Sequence, residues 1–484
     1  MTRRAWALLL VLCGTIFLEG IDVAMLSVAV PSIRSDLELP TGTAVWVMSA
    51  YVLGYAGFTL LGGRAADLFG RRRMFLTWLT VFLGFSMLGG FATEGWMLIV
   101  ARFVTGVAAA FMTPAAMSII TTSYEEGQQR NKALLVFAGT AAGGFTLGLV
   151  IGGLLTQLGW RWVFFAPVLL GGLILIAALR LLPAEASRPA ARRGGGSFDL
   201  AGAATAAGAM LLLVYAIVRL EHGFDGWRFT AGAVAAGLLL AAAFVAIERR
   251  SAAPLVRLGI LRKASMIRAD LGALLFVGSF FGFQFMVTLY LQELRGWSSL
   301  ETALALVVMG TDAVLAPTLT PRLVNRFGNA RVIFGGFVLA IVSYVLFLPV
   351  GLHWSYAAML PTLFLTGTAF ALAYGPLTIA ATDGIEEKEQ GLAGGLLQTA
   401  TQFGSAVGIS AVTAVYGLVA AGGDGSPEST LSAFRAALTV PVAMVVVGAV
   451  ITAFGLRGRR GGRLVEASPS TATAEARPGS VPVA

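Results

Sequence analysis

Four ionisable side chains lie inside long apolar runs of this 484-residue chain, away from any polar stretch of sequence. Glu19 and Asp22 are in the first apolar run, Arg102 is in the fourth and Asp312 is in the tenth. A charge in an apolar, water-poor setting is costly, so groups of this kind usually bind ions, protons or substrates. These four residues are therefore the first candidates for chemistry.

Glu19 and Asp22 are three residues apart, which places them on one face of a helix. Two carboxylates held close in a low dielectric do not easily both ionise, so one of them is expected to take up and release a proton. We predict that Asp22, with Glu19, binds the proton and that Arg102 is its charge partner in one conformational state. Asp312 is predicted to be a second acidic cavity residue that attracts a cation or shares the proton. The alternatives are a static ion-pair network and, for Glu19, contact with water near the end of its run.

The composition identifies the class of protein. Hydrophobic residues make up 57% of the chain and charged residues 12%, against about 25% charged in soluble domains. This predicts an integral membrane protein. The single cysteine, Cys13, excludes an intramolecular disulfide. The chain has no Gly-x-x-x-x-Gly-Lys motif for nucleotides and no catalytic constellation, so we expect neither an enzyme nor a cofactor.

Apolar runs of about 20 residues are long enough to cross the hydrocarbon layer as helices. The chain has fourteen of them, at about 6–32, 43–62, 74–93, 95–122, 133–157, 163–182, 198–219, 228–247, 269–292, 300–320, 331–351, 354–381, 389–419 and 432–456. The predicted fold is thus all-α and integral to the membrane, with 14 transmembrane helices.

The basic residues predict the orientation of these helices. With the N-terminus in the cytoplasm, 27 of the 34 Lys and Arg residues fall in inside segments and 6 in outside segments. This bias follows the positive-inside rule. Both termini are therefore expected to be cytoplasmic.

Two parts of the chain repeat each other. The segment Gly63–Arg71 matches Pro321–Asn329, with Arg, Phe and Gly at the same places and an offset of 258 residues. Phe103–Gly106 likewise matches Phe364–Gly367 with an offset of 261. Two matching halves around a pathway are a common transporter plan. We predict two pseudo-symmetric six-helix bundles, at 1–182 and 269–456. Linkers and two inserted helices lie between them at 183–268, and a disordered cytoplasmic tail follows at 457–484.

The segment that begins at Gly63 resembles a signature of the major facilitator superfamily. That family has a Gly, an Asp four residues later, then a Gly and a basic cluster in the loop between its second and third helices. These are Gly63, Asp67, Gly70 and Arg71–Arg73 here. The resemblance implies that the loop braces the closed cytoplasmic side, with Asp67 near a helix N-terminus, where a negative charge is favourable.

Further motifs are similar to the fourteen-helix drug:proton antiporter branch of this superfamily. Asp22–Pro31 is similar to its first-helix motif, and Arg102–Gly106 is similar to its fourth-helix motif, with Thr105 where Gln is frequent. The fifth-helix motif is matched by Gly144, Gly148 and Gly152–Gly153, with Leu149 in place of the usual proline. Because Gly144, Gly148 and Gly152 share one helix face, we expect two helix backbones to approach closely there, in static packing or at a sliding interface. The predicted gating residues are Gly63, Asp67, Gly70, Arg71, Arg72, Gly144, Gly148 and Gly152.

The sequence therefore predicts a multi-pass transporter of the bacterial cytoplasmic (inner) membrane that exports lipophilic, cationic drugs or metabolites in exchange for protons. Three acids against one base near the midplane favour cations, and Gln398 and Gln402 line the cavity or bond across helices. The expected partners are the lipid bilayer, a small-molecule substrate and protons, with no nucleic acid and a functional monomer. A dedicated exporter of an endogenous metabolite and a proton-coupled importer remain alternatives.

Overall fold

The structure is a computed structural model that describes residues 2–39, 41–182, 199–220, 227–251, 259–260 and 263–457. The predicted cytoplasmic linker up to residue 198 and the predicted tail beyond residue 457 lie outside the described residues. Within the described residues every regular element is helical and no strand occurs. This is the expected result for a chain whose backbone groups must be satisfied within each segment in lipid.

The first six helices form the N-terminal bundle. They are α1 (Arg3–Asp36), α2 (Thr41–Phe69), α3 (Arg71–Gly90), α4 (Gly95–Ser123), α5 (Gln128–Leu158) and α6 (Trp162–Leu181). The Thr2 side chain accepts the N–H of Ala5 at the start of α1. Gly70, with φ 97°, precedes α3 and turns the chain sharply between α2 and α3, a conformation that glycine adopts without strain.

Two helices follow before the second bundle. They are α7 (Leu200–Leu220) and α8 (Trp227–Glu248), and they pack on each other. α7 also packs against α2 of the first bundle and against α15 of the second. Its Val214 is buried against Ala56, and its Tyr215 ring stacks on Trp46 with 5.9 Å between centroids.

The C-terminal bundle contains the remaining helices. They are α9 (Ala264–Leu289), α10 (Ser299–Leu306), α11 (Asp312–Thr318), α12 (Thr320–Phe327), α13 (Asn329–Phe347), α14 (Tyr356–Thr382), α15 (Gln390–Ala420) and α16 (Pro427–Arg457). A π-helical turn, Tyr290–Leu294, extends α9, and a 3-10 segment, Val307–Thr311, joins α10 to α11. α10, this 3-10 segment and α11 together occupy the region predicted as one span at 300–320, and α12 begins where that span ends.

Twelve of the described helical segments are long and apolar enough to cross a membrane. The other two predicted spans, at 43–62 and 198–219, fall on α2 and α7. α7 provides a shorter apolar helix, Ala201–Ala216. The multi-span, all-helical fold is thus confirmed, whereas the count of fourteen spans stays a prediction.

The two bundles pack their helices in the same pattern. In the first, α1 packs on α5 and α6, α2 on α4, and α3 on α6. In the second, α9 packs on α15 and α16, α11 on α14, and α13 on α16. The bundles meet along two seams, one between α2 and α15 and the other between α5 and the α10–α11 segment. The sequence repeat is therefore matched by a repeat in helix packing.

Candidate functional site

Asp22 and Arg102 form a buried ion pair between α1 and α4. Arg102 Nη1 donates to Asp22 Oδ2, and both side chains are almost fully buried. A buried charge is strongly destabilising unless an opposite charge compensates it, so each residue requires the other in this arrangement. The structure thus brings Arg102 and Asp22 together, whereas their role in proton coupling stays a prediction.

Tyr51 on α2 lies against the same pair. The guanidinium of Arg102 sits over the Tyr51 ring, with Cζ 4.4 Å from the ring centroid. Tyr51 is 3% exposed, and its ring packs edge-on against Tyr55 with 5.8 Å between centroids. The cation is therefore held between a carboxylate and an aromatic face, two groups that both attract it.

Glu19 occupies a different environment from Asp22, although the two lie on one helix face. The Tyr55 hydroxyl donates to Glu19 Oε2 at 3.0 Å, and the Thr113 hydroxyl donates to Glu19 Oε1. Glu19 is 4% exposed. The alternative in which Glu19 simply reaches water is therefore wrong, because α2 and α4 cover it and supply hydroxyl donors.

The polar cluster reaches the C-terminal bundle through Tyr374 on α14. Tyr374 is buried and lies within electrostatic range of Glu19 and close to Gln398 on α15. Gln398 Oε1 also accepts the Thr401 hydroxyl at 3.2 Å. Gln402, one turn further along α15, is half-buried. Side chains from both bundles thus converge near Glu19, and Gln398 is part of that group.

Asp312 begins α11, directly after the 3-10 segment. It is 1% exposed, and neither carboxylate oxygen has a hydrogen-bond partner among the described residues. No ion pair within the described part of the chain joins it to Arg102. Its backbone lies against Gly139 of α5, on the seam between the bundles. Asp312 is therefore a second, uncompensated acidic group, separate from the pair.

The glycines of α5 bring its backbone against α1. A Cβ added to Gly144 would lie 2.6 Å from the Phe17 carbonyl oxygen. One added to Gly148 would lie 2.8 Å from Ile21 Cα, and one added to Gly152 would lie 2.6 Å from Met25 Cα. The predicted close approach is confirmed, and the partner helix is the one that carries Glu19 and Asp22. A role of this contact in gating stays a prediction.

The Asp67 segment joins the two bundles at one end of the molecule, called here the Asp67 end. Asp67 Oδ1 and Oδ2 accept the backbone N–H groups of Gly391 and Leu392, each at 3.1 Å, at the N-terminus of α15. Arg71 Nη2 lies 3.6 Å from Asp67 Oδ1, and Arg71 Nη1 lies 3.5 Å from Oε1 of Glu387, a residue of the α14–α15 connection. The expectation that Asp67 lies near a helix N-terminus is confirmed.

Of the other predicted residues of this segment, Gly63 lies at the contact between the bundles and Arg72 does not. Gly63 packs directly on the Gly391 carbonyl, where a side chain would overlap it. Arg72 donates to the Leu179 carbonyl at 3.3 Å, within the N-terminal bundle. Arg130 on α5, which the sequence analysis did not single out, donates to the Thr382 carbonyl at 2.9 Å. Both bundles are thus fastened together at the Asp67 end.

Comparison with known proteins identifies the family. The model of the Major Facilitator Superfamily matches residues 12–409, most of the chain. The chain belongs to the Major Facilitator Superfamily.

Relatives of this superfamily member include antibiotic exporters. It is 32% identical over 466 residues to the puromycin resistance protein pur8 of Streptomyces alboniger, covering 93% of this chain and 90% of the relative. It is also 32% identical over 463 residues to the cephamycin export protein CmcT of Amycolatopsis lactamdurans, covering 93% and 92%. The similarity supports the predicted type, a superfamily transporter of the drug-efflux kind rather than an enzyme.

A solved structure shares the fold. The human organic anion transporter MFSD10 (TETRAN) has a TM-score of 0.65 and 16% identity, covering 93% of this chain and 97% of that one. At this identity the likeness concerns the fold alone. This superfamily member therefore has the same overall helix arrangement as that structure.

Sequence reasoning missed the aromatic and hydroxyl groups that complete the site. These are Tyr51, Tyr55, Thr113 and Tyr374. Tyr51 and Tyr55 are one turn apart in a largely apolar run, and this i,i+4 spacing was a signal that could have indicated a shared polar face. No comparable signal marks Thr113 or Tyr374, because threonines and tyrosines also occur elsewhere in the apolar runs.

Proposed function

We propose that this superfamily transporter exports lipophilic, cationic small molecules in exchange for protons. The observation that carries the proposal is the buried Asp22–Arg102 pair beside Glu19, in a cluster that extends to Tyr374 of the other bundle. A carboxylate at a contact between two moving bodies is a suitable place to couple protonation to their rearrangement. Asp312, buried without a compensating charge, supports a cationic substrate.

The further parts of the proposal concern the membrane. The protein has fourteen spans, the twelve that qualify by length and composition together with α2 and α7, and it resides in the bacterial cytoplasmic membrane. Both termini and the Asp67 end face the cytoplasm, as the excess of basic residues on that side supports. It acts as a monomer and is driven by the proton gradient without a cofactor.

The division of labour within the site follows from its contacts. Asp22 exchanges a proton when Arg102 moves away, and Arg102 balances it when the proton has left. Glu19, held by two hydroxyls, shares the proton with Asp22, and Asp312 binds the substrate cation from the second bundle. Gln398 and Gln402 line the pathway on the α15 side.

A dedicated exporter of one endogenous metabolite is the second candidate function. It is favoured by the relative named as a cephamycin export protein, which exports one class of compound by its name. A broad panel of cationic and neutral compounds separates the two functions, since a dedicated exporter moves few of them.

The test is transport by purified protein in proteoliposomes with an imposed pH gradient and a cationic dye. We expect dye movement that reverses direction when the gradient is reversed and that is lost in Asp22→Asn. Movement that ignores the gradient contradicts exchange, and movement of dye in the same direction as protons indicates an importer.

A further inference from the structure

Tyr51 lies between the two polar groups of the N-terminal bundle, the Asp22–Arg102 pair and the hydrogen-bonded Glu19. The guanidinium of Arg102 lies over the Tyr51 ring. The ring also packs edge-to-face with that of Tyr55, whose hydroxyl donates a hydrogen bond to Glu19. The Tyr51 hydroxyl is buried without a hydrogen-bond partner among the described residues. Since the hydroxyl makes no hydrogen bond among the described residues, the ring face is the part of this side chain that contacts the ion pair.

The position of Tyr51 is fixed by a close contact of two helix backbones. A side chain at Gly106 of α4 would overlap the Tyr51 carbonyl, so α2 and α4 touch there, one helical turn from Arg102. The side chains of Tyr51 and Arg102 thus extend from neighbouring positions at the contact between α2 and α4. Small residues at such a crossing allow backbones to approach in this way.

The second bundle contains the same crossing without the ring. Gly367 of α14 packs on the Met309 carbonyl as Gly106 packs on that of Tyr51, with the sequence offsets of 258 and 261 found for the repeat. The residue equivalent to Arg102 is Leu363, which is buried. The close contact of two helix backbones therefore does not require an aromatic residue. Of the two equivalent contacts, the one that has the arginine is also the one that has the aromatic ring.

Arg102 needs such a support because one carboxylate contact does not fix its long side chain. Its Nη1 binds Asp22, whereas its Nε is buried without a hydrogen-bond partner among the described residues. The planar guanidinium stacks well on an aromatic face, which restricts its orientation.

We infer that Tyr51 is a positioning residue that holds the Arg102 guanidinium against Asp22 through its ring face. The inference rests on the proposed function only where it concerns proton exchange. The ionisable and charged groups near Tyr51 are Glu19 and Asp22 on α1, Tyr55 on α2 and Arg102 on α4, with Tyr374 of α14 beyond Glu19.

The first experiment measures the pH profile of dye–proton exchange in proteoliposomes for Tyr51→Leu, Tyr51→Phe and Met309→Leu. Tyr51→Leu removes the ring that supports the Arg102 guanidinium. We expect the midpoint of the pH profile of exchange to move toward alkaline pH by about half a unit to one unit. Tyr51→Phe keeps the ring and is expected to restore the wild-type midpoint. Met309→Leu makes a similar change at the equivalent crossing and is expected to leave the profile unchanged.

The second experiment does not depend on transport. The loss of stability caused by Tyr51→Leu is measured by unfolding of the purified protein, in the wild type and in the Asp22→Asn/Arg102→Gln double variant. If the ring acts through Arg102, its removal changes the unfolding equilibrium about fivefold more in the wild type than in the double variant. Equal losses in both, or a Tyr51→Phe profile like that of Tyr51→Leu, overturn the inference. The two proposals can fail separately. If the stability losses differ as expected but the wild type shows no gradient-driven exchange, the proposed function is contradicted and the role of Tyr51 in positioning Arg102 is still supported.

Discussion

The two bundles share a frame but not their chemistry. In the first, glycines of α5 pack on α1. In the second, Gly404 and Gly408 of α15 pack on Leu274 and Gly278 of α9, with the four-residue spacing of Gly144 and Gly148 and an offset of 260. The charged residues are not repeated in this way, since Arg102 corresponds to Leu363. The frame is thus common to both bundles, and the buried ion pair is an addition to one of them.

The acidic residues of the two bundles also differ in compensation. Asp22 has a cation, and Glu19 has two hydroxyl donors. Asp312 has neither among the described residues. A group with internal partners changes its protonation only when they move, whereas an uncompensated acid attracts a cation from outside. Under the proposed function, the first bundle would couple the proton and the second would recognise the cation.

The largest expected effect comes from breaking the pair in the first bundle. Asp22→Asn leaves the Arg102 charge buried without a counter-charge, which is expected to cost about 3–5 kcal/mol of stability. Unfolding of the purified protein measures this loss, and proteoliposome exchange is expected to be abolished.

The control for this prediction is the double variant Asp22→Asn/Arg102→Gln, which removes both charges. It is expected to recover most of the stability but not the exchange. Equal instability of the single and double variants would show that the pair is not the source of the effect.

Asp312→Asn tests the uncompensated acid, and its effect on stability has the opposite sign. Removing a buried carboxylate without partners is expected to leave stability unchanged or raise it by about 1–2 kcal/mol. Transport of cationic dyes is expected to fall at least about tenfold, the loss of one charged contact, whereas neutral compounds are little affected. A destabilised variant, or equal loss for both classes of compound, contradicts the contrast between the bundles.

Much of the frame could be predicted from the sequence, because its signals are long or repeated. The apolar runs, the repeat around Gly63 and Pro321 and the glycines of α5 each follow from a physical requirement of helices in lipid. The contact of Arg102 with Asp22 also followed, since few charges lie in the apolar runs and each requires a partner.

The rest depends on which helices meet, and a sequence without that knowledge does not specify it. The hydroxyls on Glu19 come from α2 and α4, and Tyr374 comes from a helix more than 350 residues away in the chain. The position of α7 against α2 and α15 likewise rests on small side chains such as Ala203 and Ala206, which fit many partners. Tertiary packing, rather than local pattern, decides these contacts.

The close glycine contacts provide a test of the shared frame. Gly148→Val and Gly408→Val both force a side chain into the backbone of a neighbouring helix, and each is expected to lower stability by about 1–3 kcal/mol. Gly172→Ala in α6 is the control, because a Cβ there meets no atom within 4 Å. It is expected to be neutral or slightly stabilising. A loss in only one of the two valine variants would show that the bundles are not equivalent in frame.

The smallest expected effect is a pH dependence of the Asp67 end. Asp67 lies beyond the predicted span at 43–62. Burial raises its pKa from 3.8 to about 6, although Arg71 and the N–H groups of Leu392 and Gly391 act to lower it. When this end opens, the carboxyl enters water and its pKa returns toward 3.8. The closed contact therefore binds a proton more tightly than the open one, so it gains stability as the pH falls through about 6 and loses it as the pH rises through that value.

The measurement is a distance between spin labels across the Asp67 end, at Arg73 and Asp383, both exposed, in a Cys13→Ser background. Between pH 7.5 and 5, we expect the closed population to rise relative to the open one, by at most the roughly tenfold that the full shift in pKa implies. Asp67→Asn is expected to remove this dependence. Asn325→Asp, at the equivalent position of the second bundle, is expected to leave it unchanged, since that residue is exposed to solvent. Opening on acidification would show instead that the ionised carboxylate, held by the N-terminus of α15, is the form that keeps this end closed.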